Sequence, residues 1–158
     1  MILVKFDKEI KGTSSVEGHK DWIVFDSYAF NGARYVNVQG DQRDIGPAYI
    51  SDFMLTKTAD LTSPELFVST MTGERFTSAT IVLMRTAGTD SESQKLVEIK
   101  LVHPIITGFS SYCQGDDRPK ENLSLSFASI DYTFFNVDGG VAGGYTNKVY
   151  SVIKKKKD

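Results

Sequence analysis

One stretch in the C-terminal part of the chain constrains the fold more than any other. In "NLSLSFASIDYTFF" (122–135), apolar and polar residues alternate, but the alternation changes phase part-way. Two apolar sets are out of step, the first being Leu123, Leu125 and Phe127 and the second Ile130, Tyr132 and Phe134. Because strand side chains alternate between faces with a period of two, this slip requires one extra residue near Ala128 and Ser129. We therefore predict a bulge or corner there, where a long strand crosses from one sheet to another or bends around a barrel.

Strand patterns recur through most of the remaining sequence, in segments 2–6, 21–30, 75–85, 95–109 and 145–153. Segment 75–85 is so rich in apolar residues that we expect burial on both of its faces. Val97, Ile99 and Leu101 alternate with charged residues, which is typical of a strand with one buried face. Pro104 then interrupts this strand, because proline has no N–H to donate and forces a bend, a bulge or an edge.

Only one segment, "TADLTSPELFVSTMTG", carries the signals of a helix. Thr62 fits the N-cap position, with Glu65 three residues later as its capping-box partner. Pro64 lies in the first turn, where its missing N–H costs nothing. Gly73 is a natural stop at the other end.

The predicted helix spans about residues 62–72 and is too short to be stable alone in water. Leu66, Phe67 and Met71 form its apolar stripe, and Leu61 pairs with Leu66 as a hydrophobic staple. We expect the stripe to dock on a sheet. The residues therefore predict a mainly β fold, an antiparallel β-barrel with one short α-helix.

Two polar segments, 33–51 and 88–94, are predicted to be loops, the second of them a hairpin tip. The first loop mixes charge, glycine and proline with four large apolar residues, Tyr35, Ile45, Tyr49 and Ile50. A loop of that length and composition is expected to pack against another protein surface, of the same chain or of a neighbouring one. A glycine-rich segment at 138–144 is predicted to form a turn before the last strand.

The length and charge of the chain limit its class. Its 158 residues with a net charge of −2 fit a single domain, 1–158, with no overall attraction to nucleic acid. Residues 154–158 are expected to form a flexible basic tail. No apolar run approaches the ~18 residues of a membrane helix, and the N-terminus lacks a signal-peptide core. We therefore expect a soluble chain, made in the cytoplasm and not inserted in a membrane, which leaves the cell by another route if it is exported.

The sequence offers little for catalysis or for holding a metal or cofactor. His19 and His103 are the only histidines and Cys113 is the only cysteine, and their spacing matches no metal site. Asp116 and Asp117 are adjacent, so on a strand they would face opposite ways and could not act as a glycosidase pair. Neither a G-x-S-x-G motif nor a Walker motif is present. We predict no catalytic, cofactor-binding or metal-binding residues and no enzyme activity.

A family resemblance covers nearly the whole chain. Its most specific parts are the helix opening "SPEL" (63–66) and the late strand "ENLSLSFASIDYTF" (121–134), which has glutamate at its head. Three further motifs occur in the same order, "IKG" at 10–12, "GHKDWI" at 18–23 and "VEIKLVHPIITGFS" at 97–110. In these motifs the chain resembles the Hcp family, the hemolysin-coregulated tube proteins of bacterial type VI secretion systems. None of the motifs is catalytic.

The resemblance implies a β-barrel of two sheets with one helix that assembles into homohexameric rings, and these rings stack into a tube. It also implies partners, namely a contractile sheath, a baseplate, a spike at the tip and effector proteins bound in the lumen of the ring. The implied localisation is the cytoplasm during assembly, followed by export from the cell or into a target cell without a signal peptide.

The loop at 33–51 is the candidate arm for stacking one ring on the next. Tyr49 would supply apolar contact, and Arg43 and Asp44 would fix the register more than add affinity. The alternative is a loop that folds back on its own barrel. Ring formation by identical subunits uses heterologous contacts, which exposed strand edges can supply.

Three other interpretations remain open. A monomeric β-sandwich that binds a sugar or a peptide would bring Tyr28, Tyr35 and Tyr49 together in a groove. A small hydrolase would pair the lone cysteine with one of the two histidines. A phage-type tail tube subunit would share the same architecture.

Overall fold

The structure is a computed structural model of the chain, and it describes residues 1–86, 93–138 and 141–157. Within these residues lie thirteen strands and one helix. The strands are β1 (Ile2–Phe6), β2 (Ile23–Phe25), β3 (Ser27–Ala29), β4 (Gly32–Gln39), β5 (Gln42–Ile50), β6 (Phe53–Thr58), β7 (Ser78–Thr86), β8 (Ser93–Val102), β9 (Ile105–Tyr112), β10 (Lys120–Ser126), β11 (Ser129–Asp138), β12 (Val141–Ser151) and β13 (Lys156–Lys157). The helix, α1, spans Ser63–Thr72.

The strands form two main sheets and a separate two-stranded ribbon. The larger sheet has the order β13-β12-β11-β8-β7-β1-β2, the smaller one β3-β6-β10-β9, and the ribbon is β4-β5. Every pairing in them is antiparallel. This confirms the predicted mainly β, antiparallel fold of two sheets with one helix. The barrel is an open one, since the outer strands of the two sheets do not pair with each other in the described residues.

The chain crosses between the two sheets where the alternation changes phase. β10 lies in the smaller sheet and β11 in the larger one, with Phe127 and Ala128 between them. Phe127 before the slip and Ile130 after it are both buried in the same core. The predicted corner is therefore confirmed, and the extra residue lets both Phe127 and Ile130 face the core. Tyr132 and Phe134, farther along β11, are exposed.

The chain also crosses between the two sheets at the predicted break, Pro104. β8 ends at Val102 in the larger sheet and β9 begins at Ile105 in the smaller one. His103 between them has a φ of 50°, in the left-handed region that non-glycine residues rarely adopt. Its N–H donates to Thr77 O at 2.9 Å, which fixes the corner.

The main core lies between the two sheets, and a smaller one covers the outer face of the larger sheet. Ile81 faces the main core, whereas Val82 joins the smaller cluster with Leu3, next to the partly buried Trp22. Strand β7 is therefore buried on both faces, as its apolar run predicted. The alternating residues of β8, Val97, Ile99 and Leu101, all lie in the main core.

The helix ends as predicted but begins differently. Gly73 has a φ of 65°, and the N–H of Glu74 donates to Ser69 O at 3.0 Å, which closes the last turn. Thr62 does hold the N-cap position, and Pro64 lies in the first turn. The predicted capping box with Glu65 is wrong, because Thr62 has helical backbone angles and makes no side-chain cap bond.

The carboxylate of Asp60 replaces the predicted cap. Thr62 donates both its N–H, at 2.8 Å, and its hydroxyl to Asp60 Oδ1. The hydroxyl of Ser63 accepts the N–H of Asp60 at 3.0 Å. The predicted staple is also wrong, since Leu61 is 88% exposed while Leu66 is fully buried.

The apolar stripe of the helix is narrower than predicted. Of its three predicted members only Leu66 is buried, and Phe67 and Met71 are exposed. Phe67 still touches the sheet, with its ring centroid 5.7 Å from that of Phe109 on β9. The helix contacts the sheet through a small area, because Leu66 and Ser69 are its only buried residues.

The long loop predicted at 33–51 is instead a β-ribbon formed by β4 and β5. Of the segment predicted as a hairpin tip, residues 88–92 lie outside the described residues, as do 139–140 of the glycine-rich turn. In the basic tail, Lys156–Lys157 pair with Tyr150 and Ser151 of β12, and the flexibility of the tail stays a prediction.

A buried ion-pair network joins the smaller sheet to the start of the helix. Lys57 on β6 is 1% exposed and Glu121 on β10 is 2% exposed. Lys57 Nζ lies 2.9 Å from Asp60 Oδ1 and 2.9 Å from Glu121 Oε2, and it donates to Ser63 Oγ at 3.2 Å. The Glu121 contact is an ion pair without the alignment of a hydrogen bond. Removing Lys57 would therefore leave a buried carboxylate without its countercharge.

We expect Lys57→Met to lower the free energy of unfolding by about 3–5 kcal/mol, the usual cost of an unpaired buried charge. The control is Lys120→Met, whose partner Asp26 lies 3.8 Å away with both side chains largely exposed, so its loss should cost about 0–1 kcal/mol. Urea unfolding followed by circular dichroism measures both variants. Equal losses in the two variants would contradict the prediction.

The same network predicts a loss of stability in acid. Burial acts to raise the pKa of Asp60, but hydrogen bonds from Thr62 and Lys57 and the charge of Lys57 outweigh it, so the pKa lies below its ordinary value of 3.8. A carboxyl whose pKa is lower in the folded state stabilises the fold above the unfolded pKa and ceases to do so as the pH falls through the folded one. Asp60→Asn should therefore be less stable than wild type at pH 7, with a difference that narrows below about pH 4. A constant difference in urea-unfolding free energy from pH 7 to pH 2.5 would contradict this.

Candidate assembly surface

The β4–β5 ribbon presents an apolar face that the rest of the described chain leaves uncovered. Val36 pairs with Ile45 and Val38 pairs with Arg43, and directly paired residues point to the same side of an antiparallel ribbon. Val36, Val38 and Ile45 are 40%, 59% and 72% exposed. One face of the ribbon is therefore a solvent-facing apolar strip with a single arginine.

The opposite face of the ribbon is polar. Asn37 pairs with Asp44, and Gln39 pairs with Gln42. Gly40 at the turn has a φ of 59°, which allows a tight reversal that other residues accommodate poorly. The ribbon is thus amphipathic, although both of its faces lie in solvent.

A bulge bends the ribbon near its base. The register shifts between Arg34 and Val36, so that Tyr35 lies opposite both Gly46 and Pro47. A Cβ atom on Gly46 would lie 2.9 Å from Tyr35 O and 3.1 Å from its Cδ1, so this close approach requires glycine. Arg34 Nη1 donates to Gly46 O at 2.8 Å, which ties the two strands together at the bulge.

A groove of about 490 Å³ lies where the ribbon meets the larger sheet. Its lining is mainly aromatic and aliphatic, with two cations, and includes Phe30, Tyr49, Ile130, Tyr132, Tyr150, Arg34 and Lys148. Part of this lining is rigid, because the ring of Phe30 lies 5.4 Å from that of Phe53 and 5.9 Å from that of Tyr132. Concave apolar surfaces with a few polar groups at their edges are typical binding sites.

The structure separates the three residues predicted to stack rings. Arg43 lies on the apolar face of the ribbon and Asp44 on the polar face, because neighbours along a strand point in opposite directions. Tyr49 lies at the base of the ribbon and lines the groove. The three therefore do not form one contact patch. The predicted alternative, a loop folded back on its barrel, does not describe a ribbon whose β4 residues are all exposed.

The apolar face formed by Val36, Val38 and Ile45 was not predicted from the sequence. The signal that could have found it is the pair Gly40–Asp41, which joins two alternating segments as a two-residue hairpin turn. The groove was not predicted either, because its lining comes from strands far apart in the sequence.

The structure does not assemble the alternative sites. The Cys113 thiol contacts Asp117 O at 3.1 Å, His19 lies against Trp22, and no hydrogen bond within the described residues joins the cysteine to a histidine. Of the three tyrosines proposed to share a groove, only Tyr49 lines this one; Tyr28 stacks on Phe53. The described residues contain no cluster that could hold a metal ion and no helix long and apolar enough to cross a membrane.

Comparison with known proteins identifies the family. The family model described as "Type VI secretion system effector, Hcp" matches residues 4–134, which is most of the chain. The chain belongs to the Hcp family. Hcp is a structural and secreted component of bacterial type VI secretion and not an enzyme family.

A sequence relative and several solved structures support the assignment to Hcp. Protein hcp1 of Pseudomonas aeruginosa is 29% identical over 99 residues, which is 60% of this chain and 59% of that protein. A structure of a type six secretion system protein aligns with a TM-score of 0.87 at 24% identity, over 99% of this chain and 98% of the other. Hcp1 from Salmonella typhimurium aligns with a TM-score of 0.79 at 20% identity, over 99% and 97%. At these identities the solved structures show that this chain has the Hcp fold.

The close fit of Tyr35 over Gly46 yields a local prediction. Gly46→Ala should weaken the base of the ribbon, because overpacking typically costs about 1–3 kcal/mol. Trypsin should then cleave after Arg43 at least about fivefold faster, since ~1 kcal/mol raises the opened population by that factor. Mass spectrometry of timed digests measures the cleavage rate.

Gly32→Ala is the matched control in the same ribbon. Its Cβ would lie 3.8 Å from the nearest atom, Tyr49 O, which is an ordinary contact, so the cleavage rate should stay near that of wild type. Equal acceleration by both alanines would show that the contact between Gly46 and Tyr35 has no special role.

Proposed function

We propose that this Hcp chain is a structural tube subunit without enzyme activity, and that six copies form a ring which stacks into the inner tube of a type VI secretion system. The observation that carries the proposal is the uncovered apolar face of the β4–β5 ribbon, formed by Val36, Val38 and Ile45. Projecting apolar surface of this kind marks a site of protein–protein contact. Membership of the Hcp family supports the assignment of the subunit to a type VI secretion system.

The ribbon is the proposed stacking arm, whose apolar face packs on the next ring. Arg43 at the edge of this face sets the register, because a charge in an apolar contact must meet a partner of opposite sign. Asp44 on the polar face contacts a different part of the neighbour. Tyr49 acts at the base of the ribbon, where it contributes to the groove.

The partners of the tube follow from the same proposal. The sheath surrounds the stacked rings, the baseplate starts the stack, and the spike caps it, while effector proteins bind within the lumen. The subunit assembles in the cytoplasm and is then expelled into the medium or a target cell. A net charge of −2 supports the absence of nucleic acid among its partners.

Mass and shape test the proposal directly. Light scattering after size exclusion should give the mass of six 17.5 kDa subunits, and negative-stain images should show annuli that stack end to end at high protein concentration. Val36→Glu should leave single annuli and abolish stacks, because it places a charge in the apolar contact. A strict monomer at tens of micromolar would contradict the proposed assembly.

Gln39→Glu is the control for the stacking variant. It adds the same charge to the same strand but on the polar face, so stacks should persist. If both glutamates abolish stacking, the effect is one of total charge and the apolar face is not the contact. If neither does, the ribbon is not the stacking arm.

A further inference from the structure

The outward side of the helix carries an unusual combination of residues. Glu65, Val68 and Met71 follow one another at helical spacing and share one face, and Leu61 lies in the turn just before the helix. Leu61, Val68 and Met71 are 88%, 54% and 71% exposed, and Glu65 is also exposed. We call these four residues the helix stripe. It is a convex apolar surface with one carboxylate.

Nothing in the described chain covers the helix stripe. The helix buries only Leu66 and Ser69, so its opposite side contributes nothing to the core. Within the described ranges, Glu65 forms no hydrogen bond or ion pair, although helix carboxylates commonly pair with a neighbouring lysine or arginine. An exposed apolar stripe of this kind is stabilising only if another surface removes it from water.

The groove at the base of the ribbon has the complementary properties. It is concave, mostly apolar and edged by Arg34 and Lys148. Lys148 is exposed and has no ion-pair partner in the described part of the chain. Arg34 uses Nη1 to hold Gly46 O, and its guanidinium carries further N–H donors. The groove therefore offers two cations to an incoming carboxylate.

From this complementarity we propose that the helix stripe of one copy docks in the groove of a second copy, with Glu65 facing Lys148 and Arg34 across the contact. The inference rests on the proposed assembly and names the surfaces that would join subunits within a ring. The stripe and the groove are different surfaces of the chain, so the contact is heterologous, and repeated heterologous contacts close into a ring when the rotation permits. The ribbon face formed by Val36, Val38 and Ile45 stays free for contact between rings.

Charge reversal tests this contact. Glu65→Arg and Lys148→Glu should each raise the concentration at half-assembly at least tenfold, because each places like charges in the contact. The double variant Glu65→Arg/Lys148→Glu should restore assembly to within a few-fold of wild type. The controls Glu17→Arg and Lys20→Glu make the same charge changes at exposed positions outside both surfaces and should assemble normally. Light scattering across a dilution series measures all variants.

A cross-link provides a second measurement that does not depend on charge. In a Cys113→Ser background, Val68→Cys with Ala48→Cys joins the stripe to the groove lining of the next copy. Oxidation should give a covalent ladder on denaturing gels that extends beyond the dimer, whereas either cysteine alone should stop at the dimer. Circular dichroism confirms that the variants are folded.

The outcomes separate this contact from the proposed function. A wild-type protein that does not assemble contradicts the proposed function, and the contact falls with it. A wild-type ring whose assembly is unchanged by either charge reversal, and which gives no ladder, overturns the contact alone. Loss of assembly in the single variants without recovery in the double variant also overturns it, because the two charges then do not face each other.

Discussion

The fold depends on the packing of the apolar face of one sheet against that of the other. Removal of apolar surface from water is the main favourable term in folding, and almost all of the large buried side chains lie in this single core. The chain passes from one sheet to the other at Pro104 and again at Ala128, and at each crossing the apolar side chains must continue to point inward. The corner residues follow from this requirement, since a left-handed His103 and a one-residue phase slip each re-aim the chain without exposing the core. The helix is secondary to this arrangement, because it adds only Leu66 to the main core.

Sequence patterns predicted those features whose cause is local. A proline cannot donate to a strand ladder, and a shift of phase cannot be absorbed by a regular strand, so the break at Pro104 and the corner near Ala128 were both predictable from the residues themselves. The C-terminus of the helix was equally local, because Gly73 takes the left-handed conformation. The start of the helix was not. Thr62 and Glu65 have the spacing of a capping box, but Asp60 competes for the Thr62 hydroxyl. Lys57, which holds Asp60, is itself paired with Glu121 on the neighbouring strand β10. A contact that depends on tertiary partners cannot be read from spacing.

For the candidate surfaces too, some properties could be predicted from the sequence and others could not. Family membership was accessible from motifs spread over the chain, but the contact residues were not. Arg43 and Asp44 were grouped by proximity in sequence, and strand geometry places them on opposite faces of the ribbon. The apolar pattern of the helix predicts a docking stripe, but Phe67 and Met71 are exposed, because the helix lies against the sheet through one narrow side. Amphipathic patterns predict that a face will be covered, but they do not distinguish cover by the same chain from cover by another copy.

The ribbon has a thermodynamic consequence for the whole subunit. Two strands without a third strand or a helix to pack on are at best marginally stable in water, and in the described part of the chain every β4 residue of this ribbon is exposed. Its order is therefore linked to whatever covers its apolar face, and ligation of the folded state by identical copies stabilises that state by mass action. The melting temperature of such a subunit is not a property of its sequence alone. In the proposed assembly it should rise with protein concentration, because covering the apolar face of the ribbon stabilises the folded state.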